Sequence, residues 1–108
     1  MESPMYQLRV YTLRTPEGLA AYKAIWSKHI PSLAKHRITT HGVWTVARSA
    51  LPQLYALVSY AEGDEPRERD EAYMSSADFQ ADMEGFDFNE MVGIVETLLS
   101  PTAESPLG

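Results

Sequence analysis

Leu54-Tyr55-Ala56-Leu57-Val58-Ser59-Tyr60 shows no polar-out alternation, and Met91-Val92-Gly93-Ile94-Val95-Glu96-Thr97-Leu98-Leu99 is nearly as apolar on each side. A strand with one solvated face alternates, whereas a strand buried on both faces does not. The rest of the chain leaves room for about two helices, enough to cover one face of one small sheet. The second face needs another cover, and a second copy of the chain is the simplest. The pattern therefore predicts a homodimer with a lined space between or beside two sheets.

The segments around these runs set the order of elements. Met5 to Arg14 alternates and is rich in Tyr, Val and Thr, which reads as a first strand. Tyr6, Leu8, Val10 and Thr12 share one side and Gln7, Arg9 and Tyr11 the other. The apolar side is expected against the helices, which puts Gln7, Arg9 and Tyr11 on the shared face. Thr15-Pro16-Glu17 is a helix start, with a hydroxyl cap, proline in the first turn and an acid at the positive dipole end. Leu19, Tyr22, Trp26, His29, Ile30 and Leu33 follow as one apolar stripe. Pro31 is expected to kink or break the helix near Ser27 to Ile30, with the pattern resuming to about His36. Ile38 to Ala47 is a second strand with a bulge or close approach at Gly42. Ser49-Ala50-Leu51-Pro52 turns the chain into a third strand, Gln53 to Tyr60.

Glu62 to Glu71 carries six acids and two arginines and reads as the solvated start of a second helix. Ser75-Ser76-Ala77-Asp78 caps a short helix to about Glu84, and Gly85 breaks it. Asn89 to Leu99 is the fourth strand. The order βαββαβ gives the ferredoxin-like α+β class, one four-stranded antiparallel sheet with helices on one face. Residues 1–99 read as one domain and residues 100–108 as a Pro- and Ser-rich tail.

Composition narrows the function classes. The chain has 108 residues, 44% of them hydrophobic and 22% charged, which is ordinary for a globular domain. A net charge of −6 argues against nucleic acid and against an anionic membrane surface. There is no cysteine, which excludes thiolate catalysis and disulfides and agrees with a reducing compartment. Met1-Glu2-Ser3-Pro4 is no signal-peptide start, so a cytoplasmic protein is expected. No Gly-rich phosphate loop and no His-Glu-x-x-His motif occurs, and His29, His36 and His41 have no metal-ligand spacing. No cofactor and no metal are expected.

Tyr6-Gln7-Leu8-Arg9-Val10-Tyr11-Thr12-Leu13-Arg14 resembles the opening strand of NIPSNAP domains, which tend to begin Y-E-L-R-x-Y-T-L. Gly42-Val43-Trp44-Thr45, Ser76-Ala77-Asp78-Phe79-Gln80 and the ending Leu98-Leu99-Ser100-Pro101 through Ser105-Pro106 are similar to further segments of that family. The resemblance spans roughly residues 5 to 106. It implies a dimeric α+β barrel in which two ferredoxin-like sheets meet. The wider superfamily includes cofactor-free monooxygenases, polyketide cyclases, lactone isomerases, decarboxylating lyases and haem-handling enzymes, several of them in secondary metabolism. The chain departs from the family at Ala56 and Val58, where His and Trp are frequent, and in the segment Glu84-Gly85-Phe86-Asp87-Phe88-Asn89. These departures suggest a specialised member with its own ligand.

Several side chains could carry chemistry. Arg9 offers a planar fork for a carboxylate or enolate, and Tyr11 a donor for an oxyanion. His41 suits proton transfer near neutral pH and shares a side with Trp44 only if Gly42 is a bulge. Glu96 is a lone acid in an apolar strand, a candidate base or a partner for Arg9. His29 lies on the helical stripe, where a histidine is more often a core residue bonded to a carbonyl freed by Pro31. His36, near a helix end, reads as structural. Trp44, Tyr55 and Tyr60 could line a cavity, although aromatics in strands usually serve packing. The candidate catalytic set is His41, Glu96, Arg9 and Tyr11, with Trp44, Tyr55, Tyr60 and His29 binding substrate. The function this favours is a cofactor-independent enzyme acting on a hydrophobic, polyketide-like or aromatic molecule by cyclisation, isomerisation or dehydration. The alternatives are a cofactor-free monooxygenase and a non-enzymatic binding or dimerisation module.

Overall fold

Cross-strand register decides which side chains meet the helices. The computed structural model describes residues 4–106, so residues 1–3 of the expected leaderless start and residues 107–108 of the tail lie outside it. The elements are β1 (Met5–Leu13), α1 (Pro16–Lys35), β2 (Ile38–Thr45), β3 (Gln53–Tyr60), α2 (Pro66–Met74), α3 (Ala77–Asp82) and β4 (Met91–Leu99). A 3-10 turn at Phe88–Glu90 leads into β4. The four strands form one sheet in the order β2-β3-β1-β4, every neighbouring pair antiparallel.

Opposed residues in an antiparallel pair share a face. Gln7, Arg9 and Tyr11 oppose Val58, Ala56 and Leu54. Those three partners have no solvent exposure and sit in the core with Trp26, Ile25 and Leu33 of α1. Gln7, Arg9 and Tyr11 therefore lie under the helices, the reverse of the sequence expectation. Counting apolar residues misled because both sides of β1 are needed by packing. Tyr11 and Leu13 join the core, while Gln7 and Arg9 are buried through hydrogen bonds. Leu8, Val10 and Thr12 instead oppose Leu57, Tyr55 and Gln53 on the open face.

That open face is broadly apolar. Leu8, Val10, Tyr55 and Leu57 are half-buried on it, while Trp44 is 52% exposed and Val95 62%. Ser100, Pro101, Thr102 and Ser105 fold back beside Tyr6, Leu57 and Leu99 at one end.

Two local devices fix the frame. The Thr15 hydroxyl accepts from Gly18 N at 3.0 Å, capping α1. Glu90 then accepts from Thr15 N at 3.1 Å and from Thr15 Oγ1 at 2.7 Å, tying the start of β4 to the start of α1. A Cβ on Gly18 would lie 2.1 Å from Glu90 Oε1, so any larger residue there would have to push the Glu90 carboxylate away from Thr15. Thr15→Ala removes the cap and one of the two Glu90 bonds, leaving Glu90 the backbone N–H of residue 15, and we expect it to lower stability in urea unfolding by about 1–2 kcal/mol.

α1 runs unbroken through Pro31, contrary to the expected break. The proline ring is on the exposed side, and buried Trp26 and His29 before it and Ser32 and Leu33 after it hold both halves in register. Ile30, assigned to the buried stripe from its spacing, is 43% exposed. The bulge expected at Gly42 is present as a register shift between Thr40 and Gly42. It leaves the Trp44 ring lying across Gly42, where a Cβ would come within 2.3 Å of it.

Candidate functional site

Arg9 is the hub of a buried polar network at the centre of the helix-facing side of the sheet. Its Nε donates to Gln7 Oε1 at 2.6 Å, and its Nη2 donates to Tyr60 OH at 3.1 Å and Asp70 Oδ1 at 2.9 Å. Tyr60 OH in turn donates to Asp70 at 2.7 Å. Arg9 Nη1 makes only a long 3.5 Å contact with Tyr11 OH. Burial works against the guanidinium charge, but Tyr11, Tyr60 and Asp70 more than offset it, and the pKa is raised above its ordinary value. Arg9 is therefore permanently charged, with one terminal nitrogen largely uncommitted.

Arg9 borders a cavity of about 470 Å3 between the sheet and the helices. Such a volume suits a small molecule, since ligand pockets span roughly 300–1,000 Å3. Arg9, Tyr11, Ile94 and Glu96 form the sheet wall. Tyr22, His29 and Leu33 of α1, Asp70, Tyr73 and Met74 of α2, and Phe79 and Met83 form the helical wall. Phe88 and Met91 complete the lining, and Met74, Phe88 and Ile94 are all more than half exposed.

A second network lies on the helical wall. Tyr73 OH donates to Asp82 Oδ2 at 2.7 Å and also meets His29 Nδ1, which is 3.3 Å from the same carboxylate oxygen. Burial opposes the Asp82 charge, but bonds from Tyr73, Ser32 and His29 outweigh it and hold the carboxyl below its usual range. Burial lowers the His29 pKa, and Asp82 only partly restores it, so the imidazole is neutral at pH 7. An ionised Asp82 can only accept, and Tyr73 has one proton to give. The network thus assigns the His29 proton to Nδ1 and leaves Nε2 as a free lone pair. Among the described residues Nε2 has no hydrogen-bond partner. Burial also raises the Tyr11 pKa against the opposing effect of Arg9, so its phenol stays a donor.

The residues that line the cavity thus include a base, His29, and two oxygen-directed donors, Arg9 and Tyr11. Of the candidates named from sequence, it gathers Arg9, Tyr11, Glu96 and His29. Tyr60 stands behind Arg9 and orients it. His29 is bonded to side chains rather than to a carbonyl freed by Pro31. Glu96 opposes Arg9 across the β1–β4 pair, yet the Arg9 ion pair is made with Asp70. His41, Trp44 and Tyr55 are elsewhere. His41 Nε2 bonds Ser59 Oγ at 2.7 Å and its ring meets Tyr6, on the open face with Trp44 and Tyr55. His41 is therefore separated by the sheet from the Arg9–Tyr11 donors it was expected to serve. Asp70, Tyr73 and Asp82 were not singled out from sequence. Pro66, Asp70 and Tyr73 do fall at i, i+4 and i+7, an inward stripe concealed within the acidic run. Among the described residues no group of His, Asp and Glu is arranged to hold a metal ion.

Such an arrangement, a ferredoxin-like α+β domain with a cavity under its helices, defines a class that hosts many activities. The NIPSNAP family model matches residues 6–106, and the chain belongs to the NIPSNAP family. No curated protein matches it. A NIPSNAP family protein from Agrobacterium tumefaciens superposes with a TM-score of 0.79 at 21% identity, covering 98% of this chain and 100% of that one. A second protein of the family from the same organism, of unknown function, gives 0.80 at 16% identity, covering 99% and 96%. A Nitrosomonas europaea protein, provisionally described as an antibiotic biosynthesis monooxygenase, gives 0.66 at 11% identity, covering 97% of each chain. At these identities the likeness is one of fold.

Proposed function

We propose that this protein is a cofactor-independent enzyme that moves a proton on a small hydrophobic, aromatic-sized molecule held in the cavity of each protomer. The observation that carries the reading is the pairing of a neutral His29, oriented by Asp82 and Tyr73, with the Arg9 and Tyr11 donors in one apolar cavity. His29 Nε2 accepts a proton from an acidic carbon or hydroxyl of the substrate. Arg9 Nη1 and Tyr11 OH stabilise the negative charge that forms on the adjacent oxygen. The proton is later delivered to a different carbon, giving an isomerisation, to the alkoxide formed by ring closure, giving a cyclisation, or to a leaving hydroxyl whose C–O bond breaks to release water, giving a dehydration. His29 takes the role first assigned to His41 or Glu96, because it alone presents an imidazole to the cavity.

The test is proton exchange. The protein is incubated in D2O with 2-tetralone and related aryl ketones, and loss of the α-proton signal is followed by NMR. Exchange above the buffer rate supports the reading, and exchange no faster than buffer across the panel defeats it. Oxygen uptake recorded in parallel addresses the monooxygenase alternative, whose turnover would stop without dioxygen.

The same proposal includes a homodimer formed through the open sheet face, supported by the exposed Trp44 and Val95 beside Leu8, Val10 and Leu57. Light scattering should give twice the chain mass for the native protein. Val95→Glu would put a charge on that open face and should shift the mass to that of one chain. A native protein that already has the mass of one chain would refute the dimer.

A further inference from the structure

Arg9 is the one cation among the described residues that line the cavity, and Asp70 already holds it at 2.9 Å. Two carboxylates, Asp70 and Glu96, border the same space, and Asp82 lies behind Tyr73. Glu96 forms no ion pair among the described residues. The remaining lining is uncharged, the neutral His29 imidazole and the Tyr11, Tyr22 and Tyr73 phenols among aliphatic, phenyl and thioether groups, so the site carries an excess of negative charge. An anionic ligand would have to take Arg9 from Asp70, leaving that carboxylate with Tyr60 alone, or lie unpaired beside Glu96. The first course strips a partly buried carboxylate of its ion pair, and the second sets two like charges side by side. A neutral carbonyl or hydroxyl can accept from Arg9 Nη1 and exchange a hydrogen bond with Tyr11 without disturbing Asp70.

We infer that the cavity selects an uncharged, aromatic-sized molecule bearing a single hydroxyl or carbonyl oxygen, rejects its carboxylate counterpart, and that Asp70 and Glu96 set this selection. The inference rests on the reading of the cavity as a ligand site. It adds that the oxyanion is generated inside the site rather than brought to it. Asp70 is in this sense a specificity residue. It leaves Arg9 enough positive field to hold a developing oxyanion but not enough to capture a stable anion from solution.

Isothermal titration of the full chain with 2-naphthol and with 2-naphthoate at neutral pH tests this, since the first is uncharged and the second anionic. The native protein should bind 2-naphthol at least about tenfold more tightly. Asp70→Asn frees Arg9 while keeping a hydrogen-bond acceptor, and should strengthen 2-naphthoate binding by about tenfold with 2-naphthol changed less than about threefold. Glu96→Gln, at an exposed position that does not bear on folding, should narrow the gap in the same direction and keeps the test decisive if Asp70→Asn unfolds. Equal or tighter binding of 2-naphthoate by the native protein overturns the inference. So does an unchanged ratio in the folded variants, or binding of neither probe. The readout needs no turnover: α-proton exchange that persists while the charge preference is absent removes this inference alone. A charge preference without exchange removes the catalytic reading alone.

Discussion

Arg9→Met should lower folding stability by about 3 kcal/mol, read as a reduced urea midpoint with an unchanged slope. Methionine matches the length of the arginine stem, so packing against Ala56 changes little. The loss comes from what the guanidinium leaves behind. Gln7 loses its 2.6 Å donor, and Asp70 loses the ion pair that accompanies its bond from Tyr60. Asp70 keeps 19% of its side-chain exposure and can rehydrate in part, which places the effect at the low end for a broken buried pair. The double variant Arg9→Met with Asp70→Asn removes the stranded charge and should recover about 1 kcal/mol relative to Arg9→Met alone. A cost below about 0.5 kcal/mol would make the pair a solvated one of little structural weight. Arg9→Lys is expected to behave more like Met than like Arg, because one ammonium cannot serve Gln7, Tyr60 and Asp70 in the fork geometry.

The element order and, to within two residues, the strand limits were legible because local chemistry sets them. Thr15-Pro16, Gly85 and the turn before Gln53 each mark a boundary by their own backbone preferences. The two-sided apolar character of β3 was legible for the same reason: Leu54, Ala56 and Val58 meet the helices while Tyr55 and Leu57 meet the open face. The facing of β1 was not legible. In the run from Tyr6 to Thr12 both sides carry buried groups, and the deciding fact, that Tyr60 and Asp70 stand ready to accept from Arg9, depends on residues 51 and 61 positions away. Once the face is inverted, Arg9 and Tyr11 move from the shared side into the cavity, while His41, next to Thr40 opposite buried Val58, stays on the open face, where the Gly42 bulge brings Trp44 to join it. Asp70 and Asp82 escaped notice because an acid in a charge run and an acid in a short helix resemble solvated residues until their partners are seen.

His29→Asn should reduce ketone proton exchange by about 10²–10⁴-fold, the span expected for removing a general base. Asparagine can still donate from its amide toward Tyr73 and Asp82, as Nδ1 does, but it has no counterpart of Nε2. A retained fold with lost exchange thus isolates the base. The pH dependence gives a second, independent signature. Exchange requires neutral His29, so the native rate should hold level through neutral pH and fall only below the depressed His29 pKa, at more acidic pH than the ordinary 6.5. Stability follows the same groups. A histidine whose folded pKa is lowered binds fewer protons folded than unfolded, so stability begins to fall as pH drops below 6.5 and levels off below the folded value. Each unit of depression contributes about 1.4 kcal/mol to that loss. Asp82, also held below its ordinary 3.8, adds a later loss as pH falls from there through its folded value. In His29→Asn the first limb should vanish and the acid limb remain. Survival of the limb beginning at 6.5 would mean that another group titrates there. Exchange undiminished in the variant would show that His29 positions Asp82 and Tyr73 without taking the proton itself.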